Sequence, residues 1–195
     1  MLASANPGKQ REFAVLFGAH GIELVLQSSL GIAAIPETGD SFEANALLKA
    51  RHAAGESGLP ALADDSGLEV DALGGRPGVR SARYAGESAS DENNNVKLLE
   101  ELSGVPAAAR GARYRCVLAL VRGSNDAAPL LANGVWHGSI AQSPAGEQGF
   151  GYDPLFLPQG QTVSAAQLPR ELKNRLSHRG QAVAALLQQL AQVQW

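Results

Sequence analysis

Apolar runs suited to strands alternate with amphipathic segments of helical spacing along most of the chain, and this alternation constrains the fold more than any other feature. We expect helices from Asn6-Pro7 onward, over residues 40–54, from Ser90 to Gly104 and over residues 178–192. We expect strands at residues 22–26, 61–63, 113–122 and 130–137. Alternating strands and helices predict an α/β domain. The consecutive strands after residue 110 indicate a mixed rather than a wholly parallel sheet.

Three helix starts carry capping chemistry. Asn6 followed by Pro7 supplies an N-cap and a favoured first-turn residue. Asp40, with Glu43 three residues later, resembles a capping box, and Ser90 suits the N-cap of another helix.

The composition describes a globular chain with little net charge. Of its 195 residues 45% are hydrophobic, and the formal net charge is −3. Such a charge argues against a protein that coats a nucleic-acid polymer or a membrane, whereas a free nucleotide needs only a few local Lys and Arg residues. We find neither a membrane-length apolar run nor a signal peptide, and therefore expect a cytoplasmic protein with a single domain over residues 1–195. Cys116, the one cysteine, lies in an apolar run and is expected in the core.

The first segment that carries chemistry is Ser4-Ala5-Asn6-Pro7-Gly8-Lys9, at a strand-to-helix junction. Amide groups at a helix N-terminus, with a lysine in the first turn, can bind phosphate. The same residues also suit a capped helix with a solvated lysine. The segment is not a Walker P-loop, because Gln10 follows Gly8-Lys9.

Acidic residues form the second group. Asp64 and Asp65 follow an apolar strand, where adjacent carboxylates repel each other unless a cation offsets them. Mg²⁺ is a natural partner because it takes few carboxylates and leaves positions for water and phosphate oxygens, although Asp64-Asp65-Ser66-Gly67 is also good turn chemistry. Glu37 precedes a helix on which Asn45 and Lys49 share a face. Lys49 could reach into a cleft or lie on the surface.

Two later segments suit a base and a ribose. Phe150, Gly151, Tyr152 and Asp153 form a plausible base-stacking platform, or alternatively a loop with core aromatics. Ser177-His178-Arg179 opens the last helix, with Lys173 shortly before it. These donors suit a nucleotide, although Ser177 could be only an N-cap.

In this order, the segments resemble the inosine-triphosphate pyrophosphatase family, also called Ham1-like or non-canonical purine NTP pyrophosphatases. The resemblance covers residues 2 to about 190 and rests on Ser-x-Asn-x-x-Lys, Glu-Thr-Gly, Glu-x-Asn-Ala-x-x-Lys-Ala, Ala-Asp-Asp-Ser-Gly-Leu, Gly-Gly-x-Pro-Gly, Phe-Gly-Tyr-Asp-Pro and Ser-His-Arg. It implies an elongated α/β fold around a long mixed sheet flanked by helices, with two lobes and a nucleotide cleft between them. It also implies a homodimer and a Mg²⁺ requirement.

The resemblance assigns roles to individual residues. Ser4 to Lys9 match a triphosphate-binding segment, Glu37 and Asp65 match Mg²⁺ ligands, and Lys49 matches a lysine on the phosphate side. Asp65 also matches the general base, with Asp64 supporting it and Ser66 near the substrate. The base and ribose pocket corresponds to Phe150 to Asp153, Lys173, His178 and Arg179. The implied reaction converts inosine, deoxyinosine and xanthosine triphosphates to the monophosphate and pyrophosphate. Only three residues precede Ser4, fewer than family members usually have before this segment, so either the first strand is short or the sequence begins late.

Two other functions remain as alternatives. A Maf-like pyrophosphatase would act on modified pyrimidine or methylated nucleotides, but the Phe-Gly-Tyr-Asp and Ser-His-Arg segments argue against it. A nucleotide sensor would bind a triphosphate without cleaving it. The presence of Glu37, Asp64 and Asp65 argues against a sensor, which has no need of a base.

Overall fold

The computed structural model describes residues 1–193. The strands of this range are β1 (Leu2–Ala3), β2 (Ala61–Val70), β3 (Gly111–Val121), β4 (Leu130–Ile140) and β5 (Phe156–Pro158). The α-helices are α1 (Pro7–Gly18), α2 (Phe42–Ser57), α3 (Asp91–Glu101), α4 (Arg170–Leu176) and α5 (His178–Leu190). Among these described helices, none combines the length and the apolarity that a bilayer crossing requires.

The described strands form a five-stranded sheet in the order β1-β2-β3-β4-β5. β1 pairs with β2 in parallel, with Leu2 opposite Leu62. β4 pairs with β5 in antiparallel fashion, with Ile140 opposite Phe156. The sheet is therefore mixed, and the predicted α/β class is confirmed. β1 has two residues.

The described chain divides into two compact units, of which the first comprises Met1–Asp65, Cys116–Gly134 and residues 178–193. Its core joins the apolar faces of α1 and α5 to the strands, through Leu2, Phe13, Phe17, Leu62, Cys116, Leu118, Ala132, Ala182, Val183 and Leu186. Burying one large apolar side chain contributes about 1.5–3 kcal/mol. Apolar side chains at helical spacing therefore favour helices that pack on the sheet, as α1 and α5 do. Cys116 lies in this core, as predicted.

The second unit comprises Ser66–Arg115 and Val135–Ser177. Its core contains the aromatic rings of Tyr114, Trp136 and Phe156, one from each of β3, β4 and β5. The ring centroid of Phe156 lies 4.7 Å from that of Tyr114 and 5.1 Å from that of Trp136. Tilted and edge contacts of this kind add about 0.5–1.5 kcal/mol to the burial of the rings.

Capping side chains set the helix starts. Asn6 caps α1 and Ser90 caps α3, as predicted. The start predicted at Asp40 is wrong by one residue, because Ser41 is the N-cap of α2 and its Oγ accepts a hydrogen bond from the Ala44 amide at 3.2 Å. Both neighbours are capping residue types, and the chain geometry selects the one that meets an open N–H three positions later.

The strand predicted at residues 22–26 is wrong. This segment makes an isolated parallel bridge between Leu26 and Leu2, and Val25 O accepts a hydrogen bond from the Leu2 amide at 2.7 Å. Ile22 and Val25 remain exposed. Leu24 and Leu26 pack against the core of the first unit, but the segment makes only an isolated bridge and so lacks the continuous interstrand pairing of a strand.

The turn predicted at Asp64-Asp65-Ser66-Gly67 is also wrong. β2 continues through these residues to Val70, and most of its side chains are buried. In the sheet, β2 lies between β1 and β3. β1 pairs with β2 only at Leu62 and Ala63, so beyond them the pairing with β3 and the burial of the side chains outweigh the local turn preference of an Asp-Ser-Gly sequence.

Candidate active site

β2 separates the two adjacent aspartates. Successive side chains of a strand point to opposite faces, so Asp64 and Asp65 face different neighbours although they adjoin in sequence. Both are buried, with 1% and 3% of their surfaces exposed. Their repulsion is offset by nearby cations of the protein, and each carboxylate has its own set.

Asp64 lies between two cations. Its Oδ1 is 2.8 Å from Nζ of Lys9, and its Oδ2 is 3.7 Å from Nε of Arg179. Burial by itself would raise the pKa of Asp64, but the positive charges of Lys9, Arg179 and Lys49 outweigh it and hold that pKa well below its usual range. Asp64 is therefore ionised at neutral pH.

Glu12 extends this network and was not predicted from the sequence. Its Oε2 accepts a hydrogen bond from Nη1 of Arg179 at 2.9 Å. Arg179 is thus held between two carboxylates, whose charges raise its pKa against the opposing effect of burial. Glu12 follows Lys9 by three residues on α1, and this helical spacing is the signal that could have placed it on the same face.

Asp65 has a different environment. Its Oδ1 is 3.5 Å from Nζ of Lys49, and its Oδ2 accepts a hydrogen bond from Nδ2 of Asn45 at 3.0 Å. Burial raises the pKa of Asp65 to about 6, against the lowering effect of Lys49 and Lys9. Asp65 can therefore exchange a proton near neutral pH, whereas Asp64 stays ionised.

Lys49 joins Asp65 to Glu37. Its Nζ is 2.5 Å from Oε1 of Glu37 and 3.5 Å from Oδ1 of Asp65. Although burial alone would lower the pKa of Lys49, the nearby carboxylates raise it, so the side chain is a cation. Lys49 is mostly buried rather than a surface lysine.

The residues expected to hold Mg²⁺ meet on this cation. The carboxylate oxygens of Glu37 and Asp65 both contact the ammonium of Lys49, so the two side chains create a negative potential at one point. Among the described residues no group of three or more His, Cys, Asp or Glu side chains forms a metal site. Mg²⁺ commonly takes one or two carboxylates together with substrate phosphates and water, so this donor pair fits that ion.

The expected phosphate segment forms the entry to α1. Asn6 Oδ1 accepts a hydrogen bond from the Lys9 amide at 3.1 Å, and Ser4 Oγ accepts one from the Asn6 amide at 3.3 Å. Ala5 and Pro7 are exposed, whereas Gly8 is buried. The segment is capped as its sequence predicts, and its lysine side chain is committed to Asp64 rather than solvated.

In the second unit, Asp153 organises the residues expected around the base. Its Oδ2 accepts hydrogen bonds from the Phe150 amide at 2.9 Å and from Nζ of Lys173 at 2.6 Å. The Lys173 ammonium also lies 5.5 Å from the centroid of the Phe150 ring, within range of a cation–π interaction. A side chain at Gly149, where φ is +81°, would overlap Oδ2 of Asp153. The loop therefore closes tightly around its carboxylate.

Helix α3 holds the same loop from another side. Asp91 Oδ2 accepts a hydrogen bond from the Gly151 amide at 2.6 Å, and Asn95 Nδ2 donates one to Gly151 O at 2.9 Å. Tyr152 turns into the core, where its hydroxyl donates to Ser81 O at 2.8 Å. Phe150 is half-buried.

The remaining predicted residues have clear positions. His178 and Arg179 are buried at the start of α5 in the first unit, and Ser66 is half-buried in β2 as the first residue of the second. The first unit brings together Lys9, Glu37, Lys49, Asp64, Asp65 and Arg179. The second brings together Phe150, Asp153 and Lys173. Arg179, expected at the base, contacts Asp64 and Glu12.

Known proteins resemble the chain over nearly all of its length. The sequence profile of the Ham1 family matches residues 1–189. A dITP/XTP pyrophosphatase of Methylococcus capsulatus is 59% identical, over 97% of this chain and 94% of that protein. The dITP/XTP pyrophosphatase of Yersinia pseudotuberculosis is 53% identical, over 97% and 96% respectively. The solved structure of a HAM1 protein from Coxiella burnetii superposes with a TM-score of 0.90 at 46% identity, covering 98% of both chains.

Proposed function

Because the chain belongs to the Ham1 family, we propose that it hydrolyses non-canonical purine nucleoside triphosphates to the monophosphate and pyrophosphate. The proposed substrates are the triphosphates of inosine, deoxyinosine and xanthosine. Relatives named dITP/XTP pyrophosphatase over the whole chain support this assignment.

The observation that carries the proposal is the contrast between Asp64 and Asp65. Asp64 is kept ionised by Lys9 and Arg179, whereas the pKa of Asp65 is raised to about 6. A pair of carboxylates whose environments separate their pKa values is typical of acid–base catalysis, because a general base works best with a pKa near the working pH. A protein that only bound nucleotides would have no need to keep a buried carboxylate ready for protonation.

In this proposal Asp65 takes a proton from a water molecule. The water oxygen bonds to the α-phosphorus, the bond from that phosphorus to the bridging oxygen breaks, and pyrophosphate leaves. Lys9 and Lys49 stabilise the negative charge that builds on the phosphates, which is the electrostatic part of catalysis. The α1 entry segment, Ser4 to Lys9, is proposed to bind the triphosphate at the positive end of the helix dipole. Mg²⁺ held by Glu37 and Asp65 would offset the charge of the phosphate oxygens.

The purine is proposed to stack on Phe150, whose loop is braced by Gly151, Tyr152 and Asp153. Lys173 and His178 are proposed to supply hydrogen-bond donors toward the 6-keto oxygen, whereas the guanidinium of Arg179 is held by Asp64 and Glu12. Ser66 is proposed to lie near the substrate. Adenine would turn an amino group toward these donors. One unpaired buried polar group costs about 1–3 kcal/mol, so several mispairings reject adenine strongly.

The test compares inosine, xanthosine and adenosine triphosphates with and without Mg²⁺. We expect the first two to be cleaved far faster than ATP, with a monophosphate and pyrophosphate as products and no turnover without a divalent metal. A diphosphate and a single phosphate as products would contradict the proposal, since attack would then be at the γ-phosphorus. Faster cleavage of modified pyrimidine nucleotides would favour a Maf-like enzyme. Tight binding of inosine triphosphate without turnover would favour a sensor.

The proposal includes a homodimer and a cytoplasmic location. Family resemblance supports the dimer, and two-fold symmetry is the commonest arrangement of soluble oligomers. The nucleotide pool on which such an enzyme acts supports the location.

A further inference from the structure

Asn45 is a fully buried polar residue next to the proposed base. It lies on α2 with 0% of its surface exposed. Its side-chain Oδ1 accepts a hydrogen bond from the Gly39 amide at 2.7 Å, and its Nδ2 donates one to Oδ2 of Asp65 at 3.0 Å. A buried amide left without partners costs about 1–3 kcal/mol, so both bonds are needed where Asn45 lies.

The partners of Asn45 allow one orientation of its amide. A backbone N–H can only donate and an ionised carboxylate can only accept, so Oδ1 must face Gly39 and Nδ2 must face Asp65. Gly39 fits this arrangement closely, because a Cβ there would lie 2.7 Å from Oδ1 of Asn45. The orientation is therefore set by hydrogen bonding and by packing.

Nδ2 of Asn45 binds only one of the two carboxylate oxygens of Asp65. Oδ2 is held by Asn45, whereas Oδ1 faces the Lys49 ammonium that also contacts Glu37. The other end holds Gly39, two residues after Glu37. A single side chain thus sets the rotation of one proposed metal ligand and braces the loop that carries the other.

We infer that Asn45 is a positioning residue, which holds Oδ2 of Asp65 so that Oδ1 is the oxygen turned toward the metal and the attacking water. The inference rests on the proposed function. Partners that orient metal ligands typically change metal affinity or activity by about 10–100-fold when they are replaced.

Asn45→Leu has a similar size, loses both bonds and adds no charge beside Asp65. Asn45→Asp would keep the bond from the Gly39 amide, but its second carboxylate next to Asp65 would itself attract Mg²⁺ and so obscure the lost donor. A matched control is Asn94→Leu: Asn94 is 2% exposed on α3, accepts from the Ala85 amide at 2.8 Å and donates to Ala82 O at 3.2 Å. Asn94 is equally buried and also bonded at both ends, but it braces a loop without a proposed metal ligand.

The measurements are Mg²⁺ binding to the full-length protein by calorimetry without nucleotide, and kcat and KM for inosine triphosphate at saturating Mg²⁺. For Asn45→Leu we expect Mg²⁺ affinity to fall at least about tenfold and kcat to fall about 10–100-fold, with KM within about threefold. For Asn94→Leu we expect a lower melting temperature, with Mg²⁺ affinity and kcat within about twofold of wild type.

Equal Mg²⁺ affinity in the wild type and Asn45→Leu, including no binding by either, would overturn the inference. An equal loss of Mg²⁺ affinity and kcat in Asn94→Leu would also overturn it, because the effect would then come from stability alone. If the wild type binds Mg²⁺ but does not cleave inosine triphosphate, the proposed function fails and the calorimetric comparison still decides the role of Asn45.

Discussion

Asp65 lies between the ammonium of Lys49 and the amide of Asn45, while its neighbour Asp64 lies between Lys9 and Arg179. The two residues have the same side chain and the same strand. At the scale of single residues, their difference comes from which charges and which apolar atoms surround each carboxylate. Variants of the two should therefore behave differently.

The first residue-scale prediction concerns turnover. Asp65→Asn keeps the size of the side chain and an oxygen that can accept from Asn45, but it loses the basicity that activates water. Loss of a general base typically slows a reaction roughly 10²–10⁴-fold, and a weakened metal site adds to that. We expect turnover of inosine triphosphate to be abolished, excess Mg²⁺ not to restore it, and Asp64→Asn to be milder. Recovery of the rate with excess Mg²⁺ would show that Asp65 is a ligand only.

A second residue-scale prediction concerns stability without Mg²⁺. Burial raises the pKa of Asp65 to about 6, so between its ordinary value of about 3.9 and pH 6 the folded state binds a proton that the unfolded chain lacks. The stability that protonated Asp65 contributes is complete below about pH 4 and is lost as the pH rises through about 6. At pH 7.5 we expect Asp65→Asn to raise the free energy of unfolding by about 1–3 kcal/mol, and at pH 4 to leave it nearly unchanged.

Asp64 supplies the matched contrast in the same urea titrations. Its folded pKa is lowered, so its contribution is present at neutral pH and is lost only in acid. Asp64→Asn removes the buried counter-charge of Lys9 and leaves Arg179 with Glu12 alone, and we expect a loss of about 3 kcal/mol at pH 7.5. A larger loss of stability in Asp65→Asn than in Asp64→Asn at pH 7.5 would contradict the assigned environments.

At the scale of elements, the packing of α5 on β4 decides where Arg179 lies. Gly134 of β4 passes so close to the first turn of α5 that a Cβ would overlap His178 O and lie 2.7 Å from the Ala182 amide nitrogen. The first turn of α5 therefore packs directly on the backbone of β4. Arg179, the second residue of α5, contacts Asp64 and Glu12 from this position.

We predict that Gly134→Ala pushes the start of α5 away from β4. Overpacking of this kind costs about 1–3 kcal/mol, and the shift of Arg179 should lower kcat/KM for inosine triphosphate by about tenfold or more. Gly123→Ala is the control, because a Cβ at Gly123 would meet nothing within 4 Å. Melting temperature and steady-state kinetics of both variants provide the check. Equal, small effects in the two variants would show that the close approach of β4 and α5 is unimportant.

At the scale of the whole molecule, the proposed homodimer gives a direct prediction. Light scattering at micromolar protein should report a mass near twice the 20.3 kDa of one chain. Two-fold symmetric pairing is the expected closed form. A mass near 20.3 kDa over the micromolar range would contradict the dimer.

Features of the fold that depend on neighbouring residues in the chain could be predicted from the sequence. The spacing of Phe13 and Phe17 predicts α1, Asn6 and Ser90 predict helix starts, and the order of the chemical segments predicts the family, because capping and amphipathic spacing act over one or two helical turns.

Features that depend on contacts between residues far apart in the chain could be seen only in the folded structure. Pairing within the sheet extends β2 through residues 64–67, where a turn was expected, whereas residues 22–26 make only an isolated bridge. Burial and charges from α1, α2 and α5 gave Asp64 and Asp65 different pKa values. The contacts of Glu12 and Asn45 likewise join residues 167 and 20 positions apart. The protonation of a carboxylate depends on distances to charges in space, and those distances exist only once the chain has folded.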